Sequence, residues 1–291
     1  MSQHFPTMLP RGTPFPETKD HLSIMSWNLL APMYVRPFDN RTGAVQEFAA
    51  FKWATEEVLD WDFRKPQLLA TMAASQMDVI CLQEVQFEPT EDVLAPDVVS
   101  EAYGLPRWLD PLLESYEAHI PDQADLKQMA ERNARVLQLA RPVGNAVLAK
   151  KGRVEALPLL PGHRNSTTRV VVGLRGAPAS GLEASLAAGV VVSCVHLDAC
   201  DESKRVKHLA KCLAASRSCP GHPRRVVICG DMNTEMLPGS CVAEMLDPPP
   251  QPTAAEIERE CASALRVGPD GTEDEEGGGE QDISNGTGGG G

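Results

Sequence analysis

Short, uniformly apolar runs alternate with stretches of helical spacing along most of this chain. Leu22 to Asn28 is the first such run and Asp78 to Val85 the second, the latter too evenly apolar to have a wet face. Between them, residues 29–50 carry no period and read as loop. Helical patterns follow around 53–60 and 66–76, the second with Leu68, Leu69 and Met72 on one side. A polar, acidic stretch over 86–104 leads into helices expected at 106–115 and 122–139. The latter carries Leu126, Met129, Ala130, Val136 and Leu137 at helical spacing. From Gly144 the texture turns to β. Asn145 to Lys150, Val154 to Leu159, Thr167 to Leu174 and Val190 to His196 are short apolar runs parted by Gly, Pro and Ser. Glu202 to Ser216 predicts a helix with Val206, Leu209, Ala210 and Leu213 on one face, and Arg225 to Gly230 the last strand. Strands and helices thus alternate, with more β than a simple βαβ repeat needs, and the pattern predicts an α/β fold.

The ends differ from this body. Pro6, Pro10, Pro14 and Pro16 interrupt any helix in residues 1–20, which read as a flexible arm. Ser240 to Leu246 predicts a short helix stopped by Asp247-Pro-Pro-Pro. Thr253 with Glu256 three residues later forms a capping box for a helix running to Val267. Beyond it Gly, Asp and Glu dominate and no core can form. The expected organisation is therefore an arm over 1–20, one domain over 21–247, a Pro-led linker and helix over 248–266, and a disordered acidic tail over 267–291.

Charge and cysteines narrow the setting. Seven acidic residues and no Lys or Arg lie in 267–291, leaving −6 of the net −13 on residues 1–266. A mildly acidic body argues against strong nonspecific binding driven by counterion release. It does not exclude a nucleic-acid substrate, because a bound cation offsets local charge. None of the eight cysteines falls in a Cys-x-x-Cys pair, and Cys81, Cys194 and Cys229 sit inside apolar runs, as buried free thiols in a reducing compartment would. No run approaches a membrane span and the N-terminus has no apolar signal core, so an intracellular, chiefly cytoplasmic place is expected, the nucleus being the alternative.

The candidate chemistry lies in four peptides, in fixed order, at the carboxyl ends of apolar runs: Ser26-Trp27-Asn28, Leu82-Gln83-Glu84-Val85, His196-Leu197 and Gly230-Asp231-Met232-Asn233. Together Glu84, Asp231, Asn28, Asn233 and His196 offer two carboxylates, two carboxamides and an imidazole, a set suited to a hard divalent cation and a phosphate. Each also has a plainer reading. Glu84 marks equally well where a strand reaches solvent, Gly-Asp-x-Asn is turn chemistry, and a histidine at a strand end is commonly structural. The basic clusters Lys150-Lys151-Gly-Arg153, Lys204-Arg205-x-Lys207 and Arg224-Arg225 read first as solvated faces or turns.

Taken in this order, the four peptides resemble the endonuclease/exonuclease/phosphatase superfamily, and Gly144-Asn145-Ala146 is similar to its Gly-x-Ala strand. The resemblance implies a four-layer α/β/β/α sandwich of the DNase I-like type. It implies Glu84 and Asn28 at a Mg²⁺ ion (Mn²⁺ as the substitute), His196 on the phosphate, Asp231 orienting or deprotonating the attacking water, and Asn233 positioning it; Asn145 is read as scaffold. Ser26-Trp27-Asn28-Leu29-Leu30, then Trp61-x-x-Arg64, then Asp78 to Val85, look like the nocturnin and Angel group of deadenylase-like proteins. That branch implies a 3′-exoribonuclease shortening RNA from its 3′ end, poly(A) foremost, with no membrane partner.

One piece departs from the pattern. Members of the superfamily place an Asp and then a Ser-Asp-His after Gly-Asp-x-Asn, whereas the last histidine here is His222. The sandwich is accordingly expected to be incomplete at its C-terminal strands. The chain is then a fragment of a longer protein, a short product that binds RNA or protein without turnover, or a weaker site working with His196 and His163. A small phosphoester hydrolase with the same catalytic core is a further alternative.

Overall fold

The computed structural model describes residues 21–35, 38–39, 44–45, 51, 54–92, 95–158, 167–174, 189–217 and 225–234. The arm over 1–20, the helices expected at 240–246 and 253–267, the tail and any strands after Gly-Asp-x-Asn lie outside the described residues.

Two four-stranded sheets form the frame. The first runs β1 (Ile24–Asn28), β4 (Val79–Gln86), β8 (Val143–Lys150), β7 (Tyr116–His119); the second runs β12 (Val226–Asp231), β11 (Val190–His196), β10 (Thr167–Leu174), β9 (Val154–Pro158). In each sheet one edge pair is parallel, β1 with β4 and β11 with β12, and the other pairings are antiparallel. A parallel pair needs a long crossover. Here α3 (Trp61–Ser75) lies on the first connection and α6 (Glu202–Arg217) forms the second.

The period of two along the strands sorts side chains into layers. Val79 and Cys81 of β4, Val147 and Ala149 of β8, Val170 and Val172 of β10, and Val192 and Cys194 of β11 meet between the sheets. The alternate residues Ile80, Leu82, Ala146 and Leu148 face outward, where Leu68 and Met72 of α3 and Leu126, Met129 and Ala130 of α5 (Gln123–Leu137) cover them. On the far side, Val195 and Ile228 pack with Cys212 of α6. Helices, sheet, sheet, helix is the expected four-layer, DNase I-like arrangement.

Where the pattern is short, the structure adds elements. The stretch 29–50, expected as loop, holds α1 (Pro32–Val35) and the paired strands β2 (Phe38–Asp39) and β3 (Ala44–Val45). The acidic stretch 86–104 contains the pair β5 (Glu88–Pro89) and β6 (Tyr103–Gly104). The single helix expected at 106–115 is a 3₁₀ turn, Arg107–Leu109, followed by α4 (Asp110–Leu113), and the helix at 53–60 shrinks to α2 (Glu56–Leu59). The sequence pattern does not show β7, because four residues are too few to display alternation against a neighbouring helix. Cys81, Cys194, Cys200, Cys212 and Cys229 are free thiols; Cys81 is held well above its ordinary pKa by its contacts with Cys194 and Cys229 and by burial. Among the described residues no helix is long and apolar enough to cross a membrane.

At the N-terminal end of β4, Asp78 ties three segments together. It accepts from the Ser23 amide and hydroxyl at 2.9 Å each and pairs with Arg153 at 3.1 Å, while Arg153 also reaches the His21 carbonyl. This polar staple sits at the end of the first sheet remote from the candidate chemistry.

His119, closing β7, gives the fold a pH dependence. It is 8% exposed, its Nε2 is buried with no hydrogen-bond partner, and burial pushes its pKa below the ordinary 6.5. The folded state therefore holds a neutral imidazole that the unfolded chain protonates more readily. Its stability is intact above the unfolded value and is lost as pH falls toward the folded one. Urea unfolding at about pH 7.5 and about pH 5.5 should show an acid loss that His119→Phe reduces; an equal loss in both proteins would refute this assignment.

Candidate active site

The carboxyl ends of the two parallel pairs, β1 with β4 and β11 with β12, open on one crevice, the place where sheets of this kind present ligands. Each strand delivers its chemistry by a different local device. In β4 the device is a β-bulge. Leu82 pairs with Ala146 and Val85 with Gly144, so Gln83 and Glu84 together stand opposite Asn145. The extra residue reverses the parity of the strand: Ile80 and Leu82 face the helices before it, Val85 and Phe87 after it. Glu84 takes the left-handed conformation (φ +56°) that such a kink needs. Gln83 turns inward and donates to Cys194 Sγ at 3.0 Å.

β1 and β12 end in matching Asx turns, in which a side-chain oxygen captures the backbone N–H two residues on. Asn28 Oδ1 accepts from the Leu30 amide at 2.8 Å, and Asp231 Oδ1 from the Asn233 amide at 2.9 Å. The turn reading and the chemical reading of these residues therefore hold together. The turn fixes one side-chain atom and leaves the other aimed into the crevice. Asn28 Nδ2 donates to Glu84 Oε1 at 2.7 Å and to Asp231 Oδ2 at 2.8 Å, a carboxamide set between two carboxylates. The Ala31 amide donates to Glu84 Oε2 at 2.9 Å.

His196 is the register partner of Asp231. Its Nε2 stands 3.9 Å from Glu84 Oε1 and 4.0 Å from Asp231 Oδ2. Asn233, at φ +48°, donates through Nδ2 to the Leu197 carbonyl at 2.8 Å and so locks the ends of β11 and β12 together. Gly230 makes the approach of these strands possible: at φ +144°, a Cβ would lie 1.8 Å from the Val195 carbonyl oxygen.

The loop carrying Asn28 is held from outside by Arg64. Its guanidinium donates to the carbonyls of Leu29 and Leu30 at 3.0 Å and stacks over Trp61, 4.9 Å from the ring centroid. Burial lowers the Arg64 pKa, with Glu84 and Asp60 acting the other way. Trp61-x-x-Arg64 is visible as a motif, but its clamp on Leu29 and Leu30, next to the amide that binds Glu84, is not. Asn145 is fully buried between the sheets and donates to the Cys194 carbonyl, as a scaffold residue does.

All five expected residues thus meet, with one adjustment. Asn28 turns its amide nitrogen, not its oxygen, to the carboxylates, and its oxygen is taken by Leu30. As a candidate metal ligand it yields to Asp231, and its geometry is that of a bridge. Glu84, Asp231 and His196 each offer one ligand atom, all within 4.8 Å of one another. Two carboxylates this close, with a single titratable imidazole beside them, leave a surplus of negative charge that a hard cation fits. Five residues of the basic clusters bind the protein's own acceptors: Lys150 the Gln76 carbonyl, Lys151 the Leu113 carbonyl, Arg153 Asp78, Lys204 Asp198 and Asp201, and Arg205 Glu202. His163 and Arg224 lie outside the described residues.

Parts of this chain are similar to known proteins. The 3′-5′-exoribonuclease subunit Ccr4 of the CCR4-Not complex of Candida albicans is 25% identical over 88 residues, a segment covering 30% of this chain and 10% of that protein. The crystal structure of ANGEL2, a 2′,3′-cyclic phosphatase, superposes with a TM-score of 0.48 at 19% identity, over 77% of this chain and 56% of that one. The human Nocturnin catalytic domain with bound sulfate gives 0.42 at 16% identity, over 79% of this chain and 70% of that one. The chain thus spans about a tenth of the curated relative and little more than half of ANGEL2. The sequence profile of the Endonuclease/Exonuclease/phosphatase family matches residues 25–243, a span that contains every residue of the crevice, and the chain belongs to that family.

Proposed function

We propose that this protein is a Mg²⁺-dependent phosphodiester hydrolase that shortens RNA from its 3′ end, poly(A) foremost. The observation that carries the reading is the convergence of the Glu84 and Asp231 carboxylates with His196, within 4.8 Å, at the strand ends of two sheets. The family membership supports a hydrolase of phosphoesters. The exoribonuclease named among the relatives, and motifs like those of the nocturnin and Angel group, support RNA.

Glu84 and Asp231 would hold the cation, Mg²⁺ or Mn²⁺, which when bound supplies Lewis-acid polarisation of the phosphoryl group. Asn28, hydrogen-bonded to both carboxylates, keeps their oxygens apart and correctly turned. Asp231, fixed through Oδ1 by its Asx turn, uses Oδ2 to orient the attacking water. Asn233 positions that water from the adjoining turn. His196, when protonated, donates to a non-bridging phosphate oxygen and offsets the charge that builds on it.

One contact favours a second reading: the Asn28 amide nitrogen already donates to Glu84 Oε1 and Asp231 Oδ2, two of the oxygens a cation would need. On that reading the protein binds RNA or a protein partner without turnover. Incubating it with 3′-labelled and 5′-labelled poly(A), with Mg²⁺ or with EDTA, separates the two. Stepwise 3′ shortening abolished by EDTA is the expected result. A folded sample that binds the RNA but leaves it whole would establish the second reading. Hydrolysis of a small phosphodiester with RNA left intact would move the substrate to the third alternative.

A further inference from the structure

Beside His196 lies a cavity of about 350 Å³, within the ~300–1,000 Å³ of pockets that hold small ligands. One wall is the last turns of α5, where Met129, Arg132, Asn133, Val136 and Leu137 follow helical spacing along a single face. Tyr34 of α1, with Val143 and Gly144 at the start of β8, forms the rest.

The α5 face is unusual for a helix packed on a sheet. Its first half is buried through Leu126, Met129 and Ala130, but the same stripe then continues past the core. Val136 is left 53% exposed, and Arg132 and Asn133 enter the stripe where a purely structural helix would carry apolar residues. The polar groups around the cavity are open. Neither the Tyr34 hydroxyl nor the Arg132 guanidinium makes a hydrogen bond among the described residues. Asn133 is different: its amide nitrogen is fixed on the Arg141 carbonyl at 2.7 Å, which presents its Oδ1 as an acceptor of set orientation.

We propose that this cavity seats the heteroaromatic base of the nucleotide adjoining the phosphodiester held at Glu84, Asp231 and His196. The inference rests on the hydrolase reading for its placement of the phosphate. The lining fits a flat, uncharged group with hydrogen-bonding edges. Val136 and Val143 supply apolar walls, the Arg132 guanidinium a plane for stacking or cation–π contact, and Asn133 Oδ1 an acceptor for an exocyclic amine. A second phosphate fits less well, since Arg132 is the only cation in a lining that is otherwise apolar or neutral apart from His196. Single-stranded nucleic acid is bound in this manner, one base at a time, by stacking against side chains. It also accounts for a protein with few aromatic residues, because one pocket needs no extended platform.

The test compares two fluorescein-labelled probes of equal length with phosphorothioate linkages, oligoadenylate and an abasic sugar–phosphate oligomer, by anisotropy in Mg²⁺. The wild-type protein should bind oligoadenylate about tenfold more tightly, the effect of one stacked base. Arg132→Ala and Val136→Trp, both at exposed positions, should bring the two affinities together without altering the melting temperature. Equal affinities in the wild type, or a preference that survives both variants, would overturn the proposal. Cleavage of unmodified oligoadenylate is followed in parallel. Base preference without cleavage leaves the pocket standing and sinks the hydrolase reading; cleavage without base preference does the reverse.

Discussion

Glu84→Gln should reduce Mg²⁺-dependent hydrolysis on the order of a thousandfold, the scale of losing one preorganised electrostatic group. The replacement keeps the volume of the side chain and the position of its terminal atoms. It removes the charge and turns one acceptor into a donor. In the crevice both oxygens of Glu84 are accepting, Oε1 from Asn28 and Oε2 from Ala31. A glutamine must therefore set an N–H₂ against one of those donors. The carboxylate surplus that favours a cation falls at the same time. Calorimetric titration of Mg²⁺ should show the wild-type heat vanish in the variant, and the rise in melting temperature that Mg²⁺ gives the wild type should vanish with it. Retention of full activity by the variant would remove Glu84 from the metal site, and the proposed hydrolytic mechanism would go with it.

Gly230→Ala should cost about 2 kcal/mol or more in folding stability, the scale of a strained backbone that L side chains avoid. The clash is with main chain, not with a side chain that can rotate away. The added Cβ would stand 1.8 Å from the Val195 oxygen and 2.8 Å from its carbonyl carbon and nitrogen. β12 must then lift from β11, and the next register pair along is His196 with Asp231. The loss should appear as a lower midpoint in urea and, in the fraction that folds, as weakened hydrolysis. Unfolding at the wild-type midpoint would show that the strands separate there at little cost, and that Gly230 is not needed for their close approach.

The contrast between these two positions explains what the sequence made legible. Glu84, Asp231, His196, Asn28 and Asn233 could be picked out because each stands at or just past the carboxyl end of an apolar run, in an order that resembles a known family. The two-sheet sandwich was partly legible for a related reason. Strands buried on both faces, such as β4, β8 and β10, read as unbroken apolar runs. Invisible were effects that depend on pairing. β2 with β3 and β5 with β6 are stretches of two residues, too short for any period. The Gly230 requirement arises from how near β11 comes, and the reversed amide of Asn28 from a Leu30 at φ +54°. The Arg64 clamp needs α3 and the loop after β1 to be neighbours, which spacing along the chain does not express. Tertiary contact decided each of these.

The extra residue in β4 also makes the crevice and the core answer to a single count. Before it, even-numbered residues face the helices; after it, odd-numbered ones do. Were the same residues paired here in strict alternation, without the bulge, Glu84 would turn to the helix side and Val85 and Phe87 toward the opposite sheet. Flattening the bulge cannot re-aim the carboxylate without also drawing Val85 and Phe87 out of the helix-side core. The aim of Glu84 is in this sense indexed by Phe87, and a lineage that kept its core packed through this strand would keep its carboxylate pointing into the crevice without separate selection on the angle.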